Sequence, residues 1–227
     1  MIHRFFIEEK LEGREDFLLP KEIQHQLKNV LRSKSGEKII LFDGSGYDFI
    51  SEFDGKGGAK IIERAFNRSE PDRKIFLFQS FLKKDKMEWV FGKGTELGIF
   101  EFVPVLSERS IKKDFNKERS RKIIKEAAEQ SGRSILPNIQ NVLDFKKALE
   151  FVRGARMTGV IADINSKRHI SETVKDQAIA LFVGPEGGWT EEEISEAKES
   201  GFKAVNLGRT TLRAETAAIV ASVFLLA

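Results

Sequence analysis

Residues 179–227 read IALFVGPEGGWTEEEISEAKESGFKAVNLGRTTLRAETAAIVASVFLLA. The apolar run 179–183 stops at Gly184-Pro185-Glu186-Gly187-Gly188, as a buried strand bounded by a turn would. Thr190 then stands at a helix N-cap with Glu193 three residues on, which is a capping box, and the acidic run 191–193 suits the positive end of the helix dipole. This helix is expected to end near Ser200, with Gly201 as its left-handed stop. Residues 203–207 form a second strand, which meets the turn Gly208-Arg209-Thr210-Thr211-Leu212, and a final apolar helix starts near Arg213. Two strands, each running into a Gly-containing loop that opens a helix, predict an open α/β sheet with a ligand site at the carboxyl ends of its strands. Neither loop carries G-x-G-x-x-G or G-x-x-x-x-G-K-[ST], so the dinucleotide fingerprint and the P-loop are both missing. The loops offer backbone polar groups, glycines that permit close approach, a rigid Pro185, and the side chains of Glu186, Arg209, Thr211, Arg213, Glu215 and Thr216. Such a site would hold a small ligand mostly by backbone.

Upstream, strand and helix patterns alternate from residue 74 onward, which implies a mostly parallel sheet. Strands are expected at 74–82, 100–106 and 158–162, and helices at 87–97, 116–131 and 143–153. Gly92 and Gly94 weaken the first of these helices, at about 1 kcal/mol each against Ala. The first 66 residues differ. A short β run at 4–7 precedes a helix opened by Pro20, with Ile23, Leu27, Val30 and Leu31 on one face. Strands at 38–42, 47–53 and 59–66 are separated by Asp-Gly turns, which are hairpin signals. A small β-barrel or curled sheet follows, and the polar segment around Pro71 reads as a linker.

A hydrophobic content of 41% is enough for a core in 227 residues, and no apolar run is long enough to span a membrane. There is no cysteine, so thiol catalysis, disulfides and Cys-zinc sites are excluded. His3, His25 and His169 lack metal-ligand spacing, so no metal is expected. The N-terminus has no signal-peptide pattern, and a cytoplasmic protein without a membrane partner is expected. The net charge of +3 is unevenly spread: residues 1–70 carry −1, residues 71–136 carry +5 and residues 137–227 carry −1. The basic middle third is either the footprint of a polyanion binder or a solvated helix face. Its basic residues include Lys112, Lys113, Arg119, Arg121, Lys122, Lys125 and Arg133.

The run VGPEGGWTEEEI followed by NLGRTTLRAETAA resembles the C-terminal signature of the RsmE family, the ribosomal RNA small subunit methyltransferases E of the SPOUT superfamily. The chain departs from that pattern at Thr211, where a larger apolar residue is usual, and at Trp189, where Leu or Phe is usual. Ser107-Glu108-Arg109-Ser110 and Glu129-Gln130-Ser131-Gly132-Arg133 are similar to two further family elements. The resemblance implies a PUA-like RNA-binding β-barrel at 1–68, a linker at 69–73, and a SPOUT α/β methyltransferase domain at 74–227 with a C-terminal trefoil knot. Local patterning alone would not suggest a knot. It also implies methyl transfer from S-adenosyl-L-methionine to N3 of a specific uridine in 16S ribosomal RNA, by a homodimer acting on the small ribosomal subunit. The alternatives are a related enzyme acting on transfer RNA or large-subunit RNA, and a non-catalytic RNA-binding module.

Carried onto this sequence, the cofactor would be held at Val183, Gly184, Pro185, Gly187, Gly188, Leu207, Gly208, Leu212, Thr216 and Ala217. Arg213 is expected to be the cation that favours the uridinate, with Glu215 orienting it and Glu186 near the proton or the sulfonium. Either glutamate could instead cap its own loop. Arg4, Lys28, Arg32 and Arg109 are expected to bind RNA. Arg133 is expected to do the same, or else to form an ion pair with a carboxylate such as Glu129.

Overall fold

The computed structural model describes residues 2–83, 85–111, 114–172 and 176–227. Lys112 and Lys113 of the basic segment lie outside the described residues. The chain forms two units: Met1–Glu70 with Ala128–Leu136, and Pro71–Ala127 with Pro137–Ala227.

In the first unit, β1 (His3–Phe6), β2 (Asp16–Leu18), β3 (Lys38–Phe42), β4 (Tyr47–Phe53) and β5 (Gly58–Phe66) form one sheet in the order β1-β3-β4-β5-β2. β1 runs parallel to β3, and the other pairs are antiparallel. At the second hairpin, Asp54 Oδ1 accepts the N–H groups of Lys56, Gly57 and Gly58 at 2.6, 2.8 and 2.9 Å, an Asx-type closure of the turn. Phe5, Leu11, Phe17, Leu27, Leu41, Phe49 and Phe53 are packed in the core beneath the sheet. The helix after Pro20 is shorter than its amphipathic pattern suggests. α1 (Lys21–His25) passes into a π-helical turn at Gln26–Val30. The wider turn leaves Ile23 and Leu27 buried but rotates Val30, expected on the same face, to 65% exposure. Segment 128–136 groups with this unit because its groups bond there. Glu70 accepts the N–H groups of Ser134 and Ile135, each at 2.9 Å, and Asn67 donates to the carbonyl of Gly132 at 2.7 Å.

The second unit alternates strand and helix: β6 (Lys74–Ser80), α2 (Lys86–Leu97), β7 (Glu101–Leu106), α3 (Lys117–Ser131, whose last turn belongs to the first unit), β8 (Asn138–Ile139), β9 (Leu143–Asp144), α4 (Phe145–Gly154), β10 (Thr158–Ala162), β11 (Ala178–Val183), α5 (Glu191–Glu199), β12 (Lys203–Val205) and α6 (Ala214–Leu226). The strands are parallel, in the order β12-β10-β11-β6-β7-β8, with β9 also on β7. Near-continuous apolar strands are what a parallel sheet covered on both faces requires. Its centre is dry: Phe78 and Phe182, on neighbouring strands, stack at 4.4 Å. The helix expected from residue 143 begins two residues later, because Asp144 is its N-cap and accepts the N–H of Lys147 at 2.9 Å.

Candidate functional site

The order of the sheet brings the carboxyl ends of β10, β11 and β12 side by side, and the loops leaving them enclose a cavity of about 630 Å³. Its wall includes Ala162–Asn165 after β10, Val183–Trp189 after β11, and Val205, Leu207, Gly208 and Thr210–Ala214 after β12, with Ala217 from α6. Lys86 and Arg109 reach it from the segments after β6 and β7. This is the crevice at strand carboxyl ends where open α/β sheets bind ligands.

Most of the expected site residues converge here. Val183, Gly184, Pro185, Gly187, Gly188, Leu207, Gly208, Leu212 and Ala217 are on the wall, with Glu186 and Arg213. Thr216 stands half-buried on α6, off that wall. The loop after β11 holds its shape locally. The Gly188 N–H donates to the Pro185 carbonyl at 2.9 Å, and Gly188 takes φ +68°, a conformation that disfavours any side chain. The capping box is formed as expected, with the Thr190 hydroxyl accepting from Glu193 N–H at 3.1 Å and Glu193 Oε2 accepting from Thr190 N–H at 2.9 Å.

Long-range contacts then hold the loop from outside. Glu193 Oε1 accepts the N–H of Glu108 at 2.9 Å, so one carboxylate caps α5 and pins the segment after β7. Arg109, expected at RNA, donates Nη1 to the carbonyls of Gly187 at 2.9 Å and Trp189 at 3.2 Å. It braces the loop from an exposed position. Beneath, Gln79 Nε2 donates to the carbonyls of Val183 and Gly184 at 3.3 Å each. Trp189 is 8% exposed and packs on Phe145 at 5.1 Å, so the indole fills the space below the loop. Its Nε1–H is buried without a partner among the described residues, and nothing in the structure explains why.

The charged groups differ from expectation in their partners. Glu215 does not orient Arg213. Its Oε1 lies 3.2 Å from Nζ of Lys86, which is also 3.6 Å from Glu186 Oε1. The reason is placement. Arg213 is the N-cap of α6, and Glu215 in the first turn faces the start of α2, which packs on α6. Burial alone would push the Glu186 carboxyl up. Hydrogen bonds from the backbone N–H of Lys83 and from its own N–H, with the charges of Lys86 and Lys83, outweigh that and hold it below the usual range. Among the described residues the Arg213 guanidinium has no hydrogen bond or ion pair, and it opens into the cavity.

The expected RNA contacts divide. Lys28 is exposed and donates to the carbonyl of Lys56 at 2.7 Å, and Arg32 is exposed at φ +54°. Arg4 and Arg133 are corrections. Arg133 is 3% exposed and bonds Glu70 through Nη2 at 2.8 Å, so the structural ion pair weighed in the sequence is formed, with Glu70 as a partner. Arg4 makes a two-pronged pair with Asp48 at 2.7 and 2.8 Å and also reaches the Ser134 hydroxyl and the Arg133 carbonyl. A guanidinium so desolvated needs a carboxylate beside it, and neither side chain is open to a phosphate. Lys86, on the cavity wall beside Glu186 and Glu215, belongs to none of the sequence motifs. The available signal was a cation in the first turn of a helix, against the dipole.

A family model described as an RNA methyltransferase domain matches residues 68–226. The chain is 32% identical to ribosomal RNA small subunit methyltransferase E of Bacillus subtilis, over 97% of this chain and 94% of that protein. Among solved structures, ribosomal RNA small subunit methyltransferase E from Neisseria gonorrhoeae, bound to S-adenosyl methionine, superposes with a TM-score of 0.90 at 34% identity, covering 98% of this chain and 96% of that one. A methyltransferase from Legionella pneumophila in complex with the cofactor SAM gives a TM-score of 0.86 at 29% identity, covering 99% and 97%.

Proposed function

Because the chain belongs to the ribosomal RNA small subunit methyltransferase E family of RNA methyltransferases, we propose that it transfers the methyl group of S-adenosylmethionine to N3 of a uridine in 16S ribosomal RNA. The observation that carries this reading is the cavity. It joins both glycine loops and Arg213, which is unpaired among the described residues, in one space.

The cavity suits the cofactor. Its volume of about 630 Å³ lies in the range of small-molecule sites, and its wall combines loop backbone with the apolar side chains of Val183, Leu207, Leu212 and Ala217. Backbone N–H and C=O groups can read an adenine edge and ribose hydroxyls, and the apolar side chains can cover the ring. When bound, S-adenosylmethionine supplies a methyl group activated by the sulfonium and leaves as a neutral thioether. The chain's own residues align the uracil ring, exclude water and manage the N3 proton. Uridine N3–H is a weak acid. A guanidinium beside the ring favours its anion, and Arg213 is the cation available for that. The N3 proton leaves as the N–C bond forms. Glu186 on the cavity wall, and Glu215 beside the wall residue Lys86, are candidates to take it, directly or through water.

The finer architecture belongs to the same reading. The five-stranded unit is a PUA-like RNA-binding domain within residues 1–68, joined by 69–73 to a SPOUT domain at 74–227 with a trefoil knot formed by its last helix. Lys28 and Arg32 are its candidate phosphate contacts. The enzyme acts in the cytoplasm as a homodimer. α6 supports the last point: past Glu215 and Thr216 in its first turn it is almost wholly apolar, and Val223 and Phe224 remain 48% and 43% exposed. The test is methyl transfer from labelled S-adenosylmethionine to small ribosomal subunits lacking the modification, followed by nucleoside mass spectrometry. New 3-methyluridine at one position is the expected product. Cofactor binding without incorporation would redirect the reading to another RNA, and no cofactor binding would end it.

A further inference from the structure

Lys86 occupies the first helical position of α2, after Asp85, whose side chain makes no capping bond. A cation there opposes the helix dipole, so α2 gains nothing from it. Its partners lie on two other segments. Nζ is 3.6 Å from Oε1 of Glu186, in the loop after β11, and 3.2 Å from Oε1 of Glu215, just past the loop after β12. The backbone takes part too, since Lys83 N–H donates to Glu186 Oε1 at 3.1 Å. The Glu215 side chain is 13% exposed, and its other oxygen, Oε2, is buried without a hydrogen-bond partner among the described residues. Burying a carboxylate is costly without a compensating partner, and the Lys86 ammonium is the charged group beside this one.

We propose that Lys86 is the positioning residue that ties the two glycine loops of the cavity into one unit, by holding Glu186 and Glu215 at once from the start of α2. This deepens the function proposed above and rests on it for what the cavity holds. Without the ammonium, the two carboxylates repel each other and the loops part. With it, both walls are ordered before a ligand arrives, which raises affinity by pre-organisation. Arg209 and Arg213 do not substitute for it, because among the described residues neither guanidinium bonds these carboxylates.

Amide hydrogen exchange on the ligand-free protein reads the tie directly. Lys86→Met keeps most of the stem and removes the charge. It should speed exchange in both loops, residues 184–188 and 206–213, by about tenfold or more, while Lys86→Arg stays within about threefold of wild type. In calorimetric titrations with S-adenosylmethionine, Lys86→Met should weaken binding about tenfold, and the loss should shrink to about twofold in a Glu215→Gln background, because the two charges are coupled. A local packing defect would cost the same in both backgrounds. Unchanged loop exchange in Lys86→Met, or losses that simply add, would overturn the proposal. Wild-type protein whose loops respond as expected but which binds no S-adenosylmethionine would overturn the proposed function and leave the tie standing.

Discussion

Arg213 and Arg133 show how one residue type takes opposite roles in one chain. Arg213 opens into a cavity with no partner among the described residues, while Arg133 is 3% exposed against Glu70. If Arg213 stabilises the uridinate, Arg213→Ala should lower turnover at least about tenfold, roughly 1.4 kcal/mol of barrier, and leave cofactor affinity within about threefold. Single-turnover kinetics and calorimetry would separate the two, and unaltered turnover would remove Arg213 from its role. Asp48 is the corresponding test of a structural charge. Burial would raise its pKa, but hydrogen bonds from Arg4 and Ser134, the Arg4 charge and Asn67 lower it further than burial raises it. The ionised carboxylate therefore stabilises the fold in full above about pH 4, where the unfolded carboxyl titrates, and the contribution is lost as pH falls through the depressed folded value. Asp48→Asn should cost about 2–4 kcal/mol at pH 7 in urea unfolding, and the gap from wild type should narrow at pH 3. A gap of equal size at both pH values would contradict this.

At the scale of elements, local patterning located most strands and helices, and the differences have identifiable causes. The three-residue strand β2 left no signal, because its pairing with β5 is decided by distant residues. Of the two glycines that weaken the expected helix at 87–97, Gly94 is there for packing. A Cβ on Gly94 would lie 2.8 Å from the Phe102 ring of β7, so the missing side chain lets α2 approach the sheet. Gly94→Ala trades a helix propensity gain of about 1 kcal/mol for an overlap typically costing about 1–3 kcal/mol. Net destabilisation is expected in urea unfolding. A stabilised variant would mean that the ring moves aside freely.

Over the whole molecule, contact grouping follows the chain only in part. Segment 128–136 belongs with residues 1–70 although it is joined to the other unit at both ends. A sequence read in order assigns it to its neighbours, and bonds from Arg4, Phe6, Asn67 and Glu70 reveal the grouping. α6 raises the question of assembly. A helix almost wholly apolar past its first turn, with Phe224 still 43% exposed, fits a second copy against it. Phe224→Asp should convert a dimer to monomer in sedimentation velocity, and a wild-type monomer at tens of micromolar would contradict the dimer.

By itself the sequence determined what depends on near neighbours: the strand-loop-helix repeats at the C-terminus, the Thr190–Glu193 capping box, the Asp-Gly turns, and the family to which both loops belong. These rest on backbone preference and on side chains a few residues apart, so a short stretch is enough. Only the tertiary structure decided which charge meets which. Arg133 took Glu70, Arg109 took loop carbonyls, and Glu215 took Lys86 rather than Arg213. An ion pair is set by distance and desolvation in the folded state, and sequence separation carries almost no information about either.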